Sequence, residues 1–170
     1  AGYGDCLRCF KAPRASASTA IGAKLFCPAS FAHLRGVQEL AMEASDAVTD
    51  EVLAAVASPA LRTLRISGCV GVTDTGMMRA IGSLRELAMA RVGLVTDAAM
   101  IYATKLEILD VSNMRVGEGP TLASFGPGML PRLRVLVAVG NVALNQRAEA
   151  ARATFTSRTP RLRQLVADGL

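Results

Sequence analysis

The sequence predicts an α/β fold in which short units stack side by side, with a short parallel sheet on the concave side and helices on the convex side. Three observations predict it. The stretch Leu61-Arg-Thr-Leu64-Arg-Ile66-Ser-Gly-Cys69 recurs with its apolar residues in fixed register at positions one, four, six and nine. A Thr-Asp pair follows at positions thirteen and fourteen, as Thr49-Asp50, Thr73-Asp74 and Thr96-Asp97. The spacing of the copies is also nearly constant. Starts at Val37, Leu61, Leu84, Leu106, Leu133 and Leu162 give steps of 24 (37 to 61), 23 (61 to 84), 22 (84 to 106), 27 (106 to 133) and 29 (133 to 162). A period of this length marks an array of supersecondary units, each needing its neighbours to bury its core.

Each element follows from that register. In Thr63-Leu64-Arg65-Ile66-Ser67, Leu64 and Ile66 alternate with polar residues, the pattern of a strand with one buried face. Position nine holds Ser45, Cys69, Val92, Met114 and Asn141, so Cys69 reads as a small buried side chain rather than a reactive one. The Thr at position thirteen is placed to cap a helix, and the Asp beside it suits the helix dipole. Helices are predicted over roughly 49–57, 73–82, 96–104 and 146–156. Their inward residues are expected to include Val52, Leu53 and Val56 in the first, and Met77, Met78 and Ile81 in the second. The glycine- and proline-rich stretch from Gly117 to Gly128 lengthens one unit and reads as a tolerated insertion, with a contact loop as the alternative.

Composition sets limits on function. With 170 residues at 51% hydrophobic, one domain can bury an adequate aliphatic core. Residues 1–33 read as a basic N-terminal capping segment and 34–170 as the repeat array of about five to six units. No apolar run is long enough to cross a bilayer, while peripheral membrane association stays open. The formal charge is +5, carried mainly by arginine, because only Lys11, Lys24 and Lys105 are lysines. Residues 1–38 carry Asp5 as their only acid, a composition similar to an organellar transit sequence. A mitochondrial location is therefore expected, with a cytoplasmic one as the alternative.

Catalytic motifs are missing from the sequence. A single histidine excludes HExxH and disfavours a Ser-His-Asp arrangement, and neither GxxxxGK[ST] nor GxGxxG occurs. No catalytic residue is assigned and the chain is not expected to be an enzyme. One metal site is conceivable: Cys6, Cys9, Cys27 and His33 form C-x2-C-x17-C-x5-H, four donors able to bind one zinc ion tetrahedrally. A disulfide from Cys6 to Cys9 or Cys27, and plain reduced thiols, are the alternatives. No other cofactor is implied.

The segments LRTLRIS and GCVGVTDTGMMRAI resemble the cysteine-containing class of leucine-rich repeat, with its L-x-x-L-x-L-x-x-C and V-T-D-x-G-L pattern. The resemblance covers 34–114 well and 133–170 loosely. It implies a curved solenoid that binds other protein subunits and performs no reaction. Proteins of this class include substrate adaptors of F-box ubiquitin ligases and small mitochondrial proteins similar to ATP synthase coupling subunit s and a complex I assembly factor. No F-box helix bundle is recognisable ahead of the repeats, so the ligase alternative requires a longer chain.

Partner-binding residues are expected on two surfaces. The outward strand positions include Glu39, Ala41 and Glu43; Thr63, Arg65 and Ser67; Glu86, Ala88 and Ala90; Ile108, Asp110 and Ser112; and Val135, Val137 and Val139. The three valines await either a partner or burial beneath residues 141 to 160. The second surface is a ridge at position two, where Arg62, Arg85, Arg134 and Arg163 recur with Glu107 interrupting. Such a ridge suits an acidic protein or a phosphate, but missing aromatics disfavour single-stranded RNA. The function expected is a non-catalytic interaction scaffold, an accessory subunit of a large complex; a peripheral ribonucleoprotein component is the further alternative.

Overall fold

The computed structural model describes residues 9–11, 31, 34, 36–115, 118–121, 124, 128–145, 153 and 161–167. Among them the fold is α/β, with a seven-stranded parallel sheet running in chain order. Its strands are β1 (Cys9–Lys11), β2 (Glu39–Ala41), β3 (Thr63–Arg65), β4 (Glu86–Ala88), β5 (Ile108–Asp110), β6 (Val135–Val137) and β7 (Gln164–Val166). The helices are α1 (Asp50–Val56), α2 (Asp74–Ala80), α3 (Asp97–Met100) and α4 (Val142–Asn145), with a 3₁₀ turn at Ile81–Ser83.

Each neighbouring strand pair has the same register. Leu40 faces Leu64, Leu64 faces Leu87, Leu87 faces Leu109, Leu109 faces Leu136 and Leu136 faces Leu165. A slip of one residue would turn this leucine row out to solvent, which is why the pattern specifies register so strongly. Leu40, Leu64, Leu87, Leu109 and Leu136 are buried, as are Met42, Ile66, Met89, Val111 and Ala138 at position six. They join Val52, Leu53, Val56, Met77, Ala80, Ile81, Ala99 and Met100 from the helical side in one continuous core. Leu162 and Leu165, in the last unit, are half-buried against it.

Beyond the strands a backbone ladder continues into the turn. The position-six N-H donates to the position-five carbonyl of the next unit: Met42 to Arg65, Ile66 to Ala88, Met89 to Asp110, Val111 to Val137 and Ala138 to Val166. The position-eight N-H does the same one step later, from Ala44 to Ser67, Gly68 to Ala90, Arg91 to Ser112 and Asn113 to Val139. That second bond requires the chain to reverse in left-handed geometry. Ala44 (φ 53°), Gly68 (78°), Arg91 (60°), Asn113 (56°) and Gly140 (66°) all adopt it. Three of the five are not glycine, so the unit imposes the conformation whatever residue it is dealt.

Several local expectations are corrected. Met78 was expected inward but is 37% exposed, because the helix buries Met77, Ala80 and Ile81 and leaves the next residue outside that stripe. Ser112 was expected outward and is only 7% exposed; it lies past the end of β5, where the chain is already turning. The helix predicted over 96–104 ends at Met100 and gives way to turns. Of the helix predicted over 146–156, only Ala153 lies within the described residues and it is helical; the short α4 precedes it. No helix among the described residues is long and apolar enough to cross a membrane.

Candidate functional site

The helix starts show what holds successive units together. Asp50 Oδ1 accepts from the Thr73 backbone N-H at 2.8 Å, and Asp50 Oδ2 accepts from Thr73 Oγ1 at 2.6 Å. Asp74 binds Thr96 in the same two ways, at 2.7 and 2.7 Å. Asp97 binds Thr121 likewise, at 2.7 and 2.6 Å, and accepts also from Ser124 Oγ. Each aspartate thus reaches forward to the next unit's threonine, and the row extends past the last Thr-Asp pair into the Gly117–Gly128 insertion. The threonines do cap as expected: Thr73 Oγ1 accepts from Thr75 N and Thr96 Oγ1 from Ala98 N, whereas Thr49 makes no such bond. Gly76 is glycine for the same reason. A Cβ there would run into the Asp50 carboxylate, with the Asp50 Cα at 2.7 Å.

Position nine adds a second cross-link. The Cys69 thiol donates to the Met42 carbonyl at 2.7 Å, and Asn141 Nδ2 donates to the Val111 carbonyl at 2.9 Å. Both reach back to the position-six carbonyl of the preceding unit. Burial raises the Cys69 thiol above its ordinary value, keeping it protonated and unreactive. The acids and the thiol placed by the repeat therefore act as internal ties.

The solvent-facing side of the sheet is where residues remain available. One row across the strands reads Glu39, Thr63, Glu86, Ile108, Val135, Gln164, and the other reads Ala41, Arg65, Ala88, Asp110, Val137, Val166. The two ends differ. Towards the N-terminus the face is polar and tied: Arg65 Nη2 lies 2.7 Å from Glu86 Oε1 across β3 and β4, with Glu39 and Glu43 exposed beside them. Asp110 Oδ1 accepts from Ser112 N at 2.9 Å. Towards the C-terminus the face is apolar. Ile108, Val139 and Val166 are 37%, 38% and 38% exposed, and Val135 and Val137 are half-buried between them. Of residues 141 to 160, expected as an alternative cover for the valines, 146–152 and 154–160 lie outside the described residues.

The position-two ridge is assembled by the sheet. Arg85 N donates to Arg62 O, Glu107 N to Arg85 O, Arg134 N to Glu107 O and Arg163 N to Arg134 O, bringing all five residues into one row. They are not equivalent. The Arg62 guanidinium donates to the carbonyls of Pro59, at 2.7 Å, and Ser83, at 3.3 Å, and so secures two turns. Glu107 stands 4.0 Å from Arg85 Nη1 and 3.5 Å from Arg134 Nη1. Arg163 has no carboxylate partner among the described residues.

No family profile and no curated protein sequence matches this chain. Among the described residues no group of three or more His, Cys, Asp or Glu is placed to hold a metal ion. Of the zinc set only Cys9 is described, exposed at the edge of a small hollow of about 120 Å³ with Glu39, Thr63 and Arg65. Cys6, Cys27 and His33 lie outside the described residues. Two features were missed in the sequence: the forward reach of the aspartates to Thr73, Thr96 and Thr121, and the left-handed position eight. The first was signalled by the 23-residue (50 to 73), 22-residue (74 to 96) and 24-residue (97 to 121) separations of Asp from Thr.

Proposed function

We propose that this chain is a leucine-rich-repeat solenoid that works as a non-catalytic interaction scaffold, an accessory subunit held in a larger protein assembly. One observation carries the reading: the outward face of β5 to β7 groups exposed Ile108, Val139 and Val166 with half-buried Val135 and Val137 in one apolar strip. Exposed aliphatics grouped on a rigid sheet are the surface a protein partner covers. The internal use of Asp50, Asp74, Asp97 and Cys69 points the same way. Those three acids and that thiol are committed to joining one unit to the next.

The face is short, which favours a permanent neighbour over a hub with changing clients. A mitochondrial complex fits the basic N-terminal composition; a cytoplasmic assembly is the alternative. Affinity purification of the endogenous protein followed by mass spectrometry tests the reading. A stoichiometric set of subunits is expected, lost with Val137→Glu and retained with Met78→Glu on the helical side. Recovery of cullin-ligase components would replace this reading with the adaptor one, and recovery unaffected by Val137→Glu would overturn the assignment of the face.

A further inference from the structure

Where the arginine row meets the apolar strip, the structure contains a hollow of about 300 Å³ lined by Glu107, Ile108, Arg134, Val135, Arg163 and Gln164. Its floor and rim differ in chemistry. Ile108 and Val135 face each other across β5 and β6 and supply an apolar base. Arg134 and Arg163 are joined through the backbone, Arg163 N donating to Arg134 O at 2.8 Å, so their chains lie one strand spacing apart, about 4.8 Å. Side chains at that separation can both reach one anionic group.

The local charge is unbalanced in the direction that calls for such a group. Arg132, Arg134, Arg161 and Arg163 are all exposed at this end of the sheet, and among the described residues Glu107 is the one carboxylate lining the hollow. That carboxylate is shared between Arg85 and Arg134 at distances longer than a good charge-assisted bond, about 2.7–2.9 Å. Arg163 has no carboxylate partner among the described residues.

We propose that this hollow is a binding site for an acidic, apolar segment of a protein partner. An Asp or Glu side chain, or a C-terminal carboxylate, sits between the Arg134 and Arg163 guanidinium groups, and a neighbouring aliphatic side chain rests on Ile108 and Val135. The inference rests on the scaffold reading and adds to it the chemistry of the partner. The apolar floor is what separates this ligand from a bare phosphate, which would gain nothing from Ile108 and Val135. Two guanidinium groups also give the planar, directional recognition that carboxylates use.

The test uses the ¹⁵N-labelled full chain titrated with the acetylated, amidated tetrapeptide Leu-Glu-Leu-Asp, with its isosteric counterpart Leu-Gln-Leu-Asn, and with inorganic phosphate. Expected are saturable shifts at the amides of Ile108, Val135 and Gln164, at least about tenfold weaker binding of the uncharged peptide, and a similar loss in Arg163→Gln but not in Arg91→Gln. Equal binding of the two peptides, shifts elsewhere or none, or phosphate binding as tightly as the acidic peptide would overturn the proposal. Purification of the native assembly separates this failure from that of the scaffold reading. A partner retained with Arg163→Gln but lost with Val137→Glu refutes the hollow and leaves the face; one retained with both refutes the two together.

Discussion

The two ends of the sheet use one repeating pattern for different ends. From β2 to β4 the units step by 24 and 23 residues, the Asp-Thr row is regular, and the outward face closes on itself through the Arg65–Glu86 pair. From β5 to β7 the steps lengthen to 27 and 29, the aspartate row ends on Thr121 and Ser124, and the outward face turns to Ile108, the valines and exposed arginine. The regular end ties its helix-start aspartates and its outward charged pair internally. The irregular end leaves surface over, and leftover surface is where binding energy can be found.

The largest effect that would break this comparison is in the core. Leu87→Ala, in the middle of the leucine row, should cost about 2–5 kcal/mol in urea unfolding, whereas Leu165→Ala, half-buried in the last unit, should cost clearly less. Equal losses would show that the two ends are packed alike. Next comes the aspartate row: Asp50→Ala leaves the Thr73 N-H and hydroxyl without their acceptor and should cost about 1–3 kcal/mol. Thr73→Val in combination should cost less than the sum, because both substitutions break the same contact.

The buried thiol offers a finer test through pH. Cys69 is raised in the native state, so the unfolded chain loses this proton first, from about pH 9, while the native chain retains it. Stability should therefore fall as pH rises through that value, by at most about 1.4 kcal/mol per pH unit, and Cys69→Ser should remove that component. Below pH 9 both states hold the proton and no dependence is expected from this group. The smallest effect is a gain: Arg91→Gly relieves a left-handed residue and should stabilise by about 1 kcal/mol, measured as a shift in the urea midpoint at constant slope.

Much of the fold was legible because burial imposes periodicity on the residues themselves. Leu64, Leu87 and Leu109 announce both their strand and their register, since any other alignment exposes them. The aspartates do open their helices, where the dipole favours them, but their hydrogen-bond partner lies in the next unit, and only the separation of Asp50 from Thr73 hints at it. Position eight was illegible for the opposite reason. Its occupants, Ala44, Gly68, Arg91, Asn113 and Gly140, share no chemistry, and the geometry comes from the ladder bonds around them. Met78 was assigned inward because it is apolar, although only its neighbour Met77 falls on the buried stripe. Of the binding surface, the arginine row and its interruption by Glu107 could be read from spacing; that Glu107 is drawn to Arg85 and Arg134, leaving Arg163 without a carboxylate partner among the described residues, needed the pairing of β5, β6 and β7.

The most direct measurement is photo-crosslinking in the native assembly, with a photoreactive residue placed in turn at Val137, Ala41 and Met78. The account predicts strong capture of a partner subunit at Val137, little at Ala41 on the polar end of the same face, and none at Met78. Capture centred on Ala41 or Met78, with Val137 silent, would contradict it.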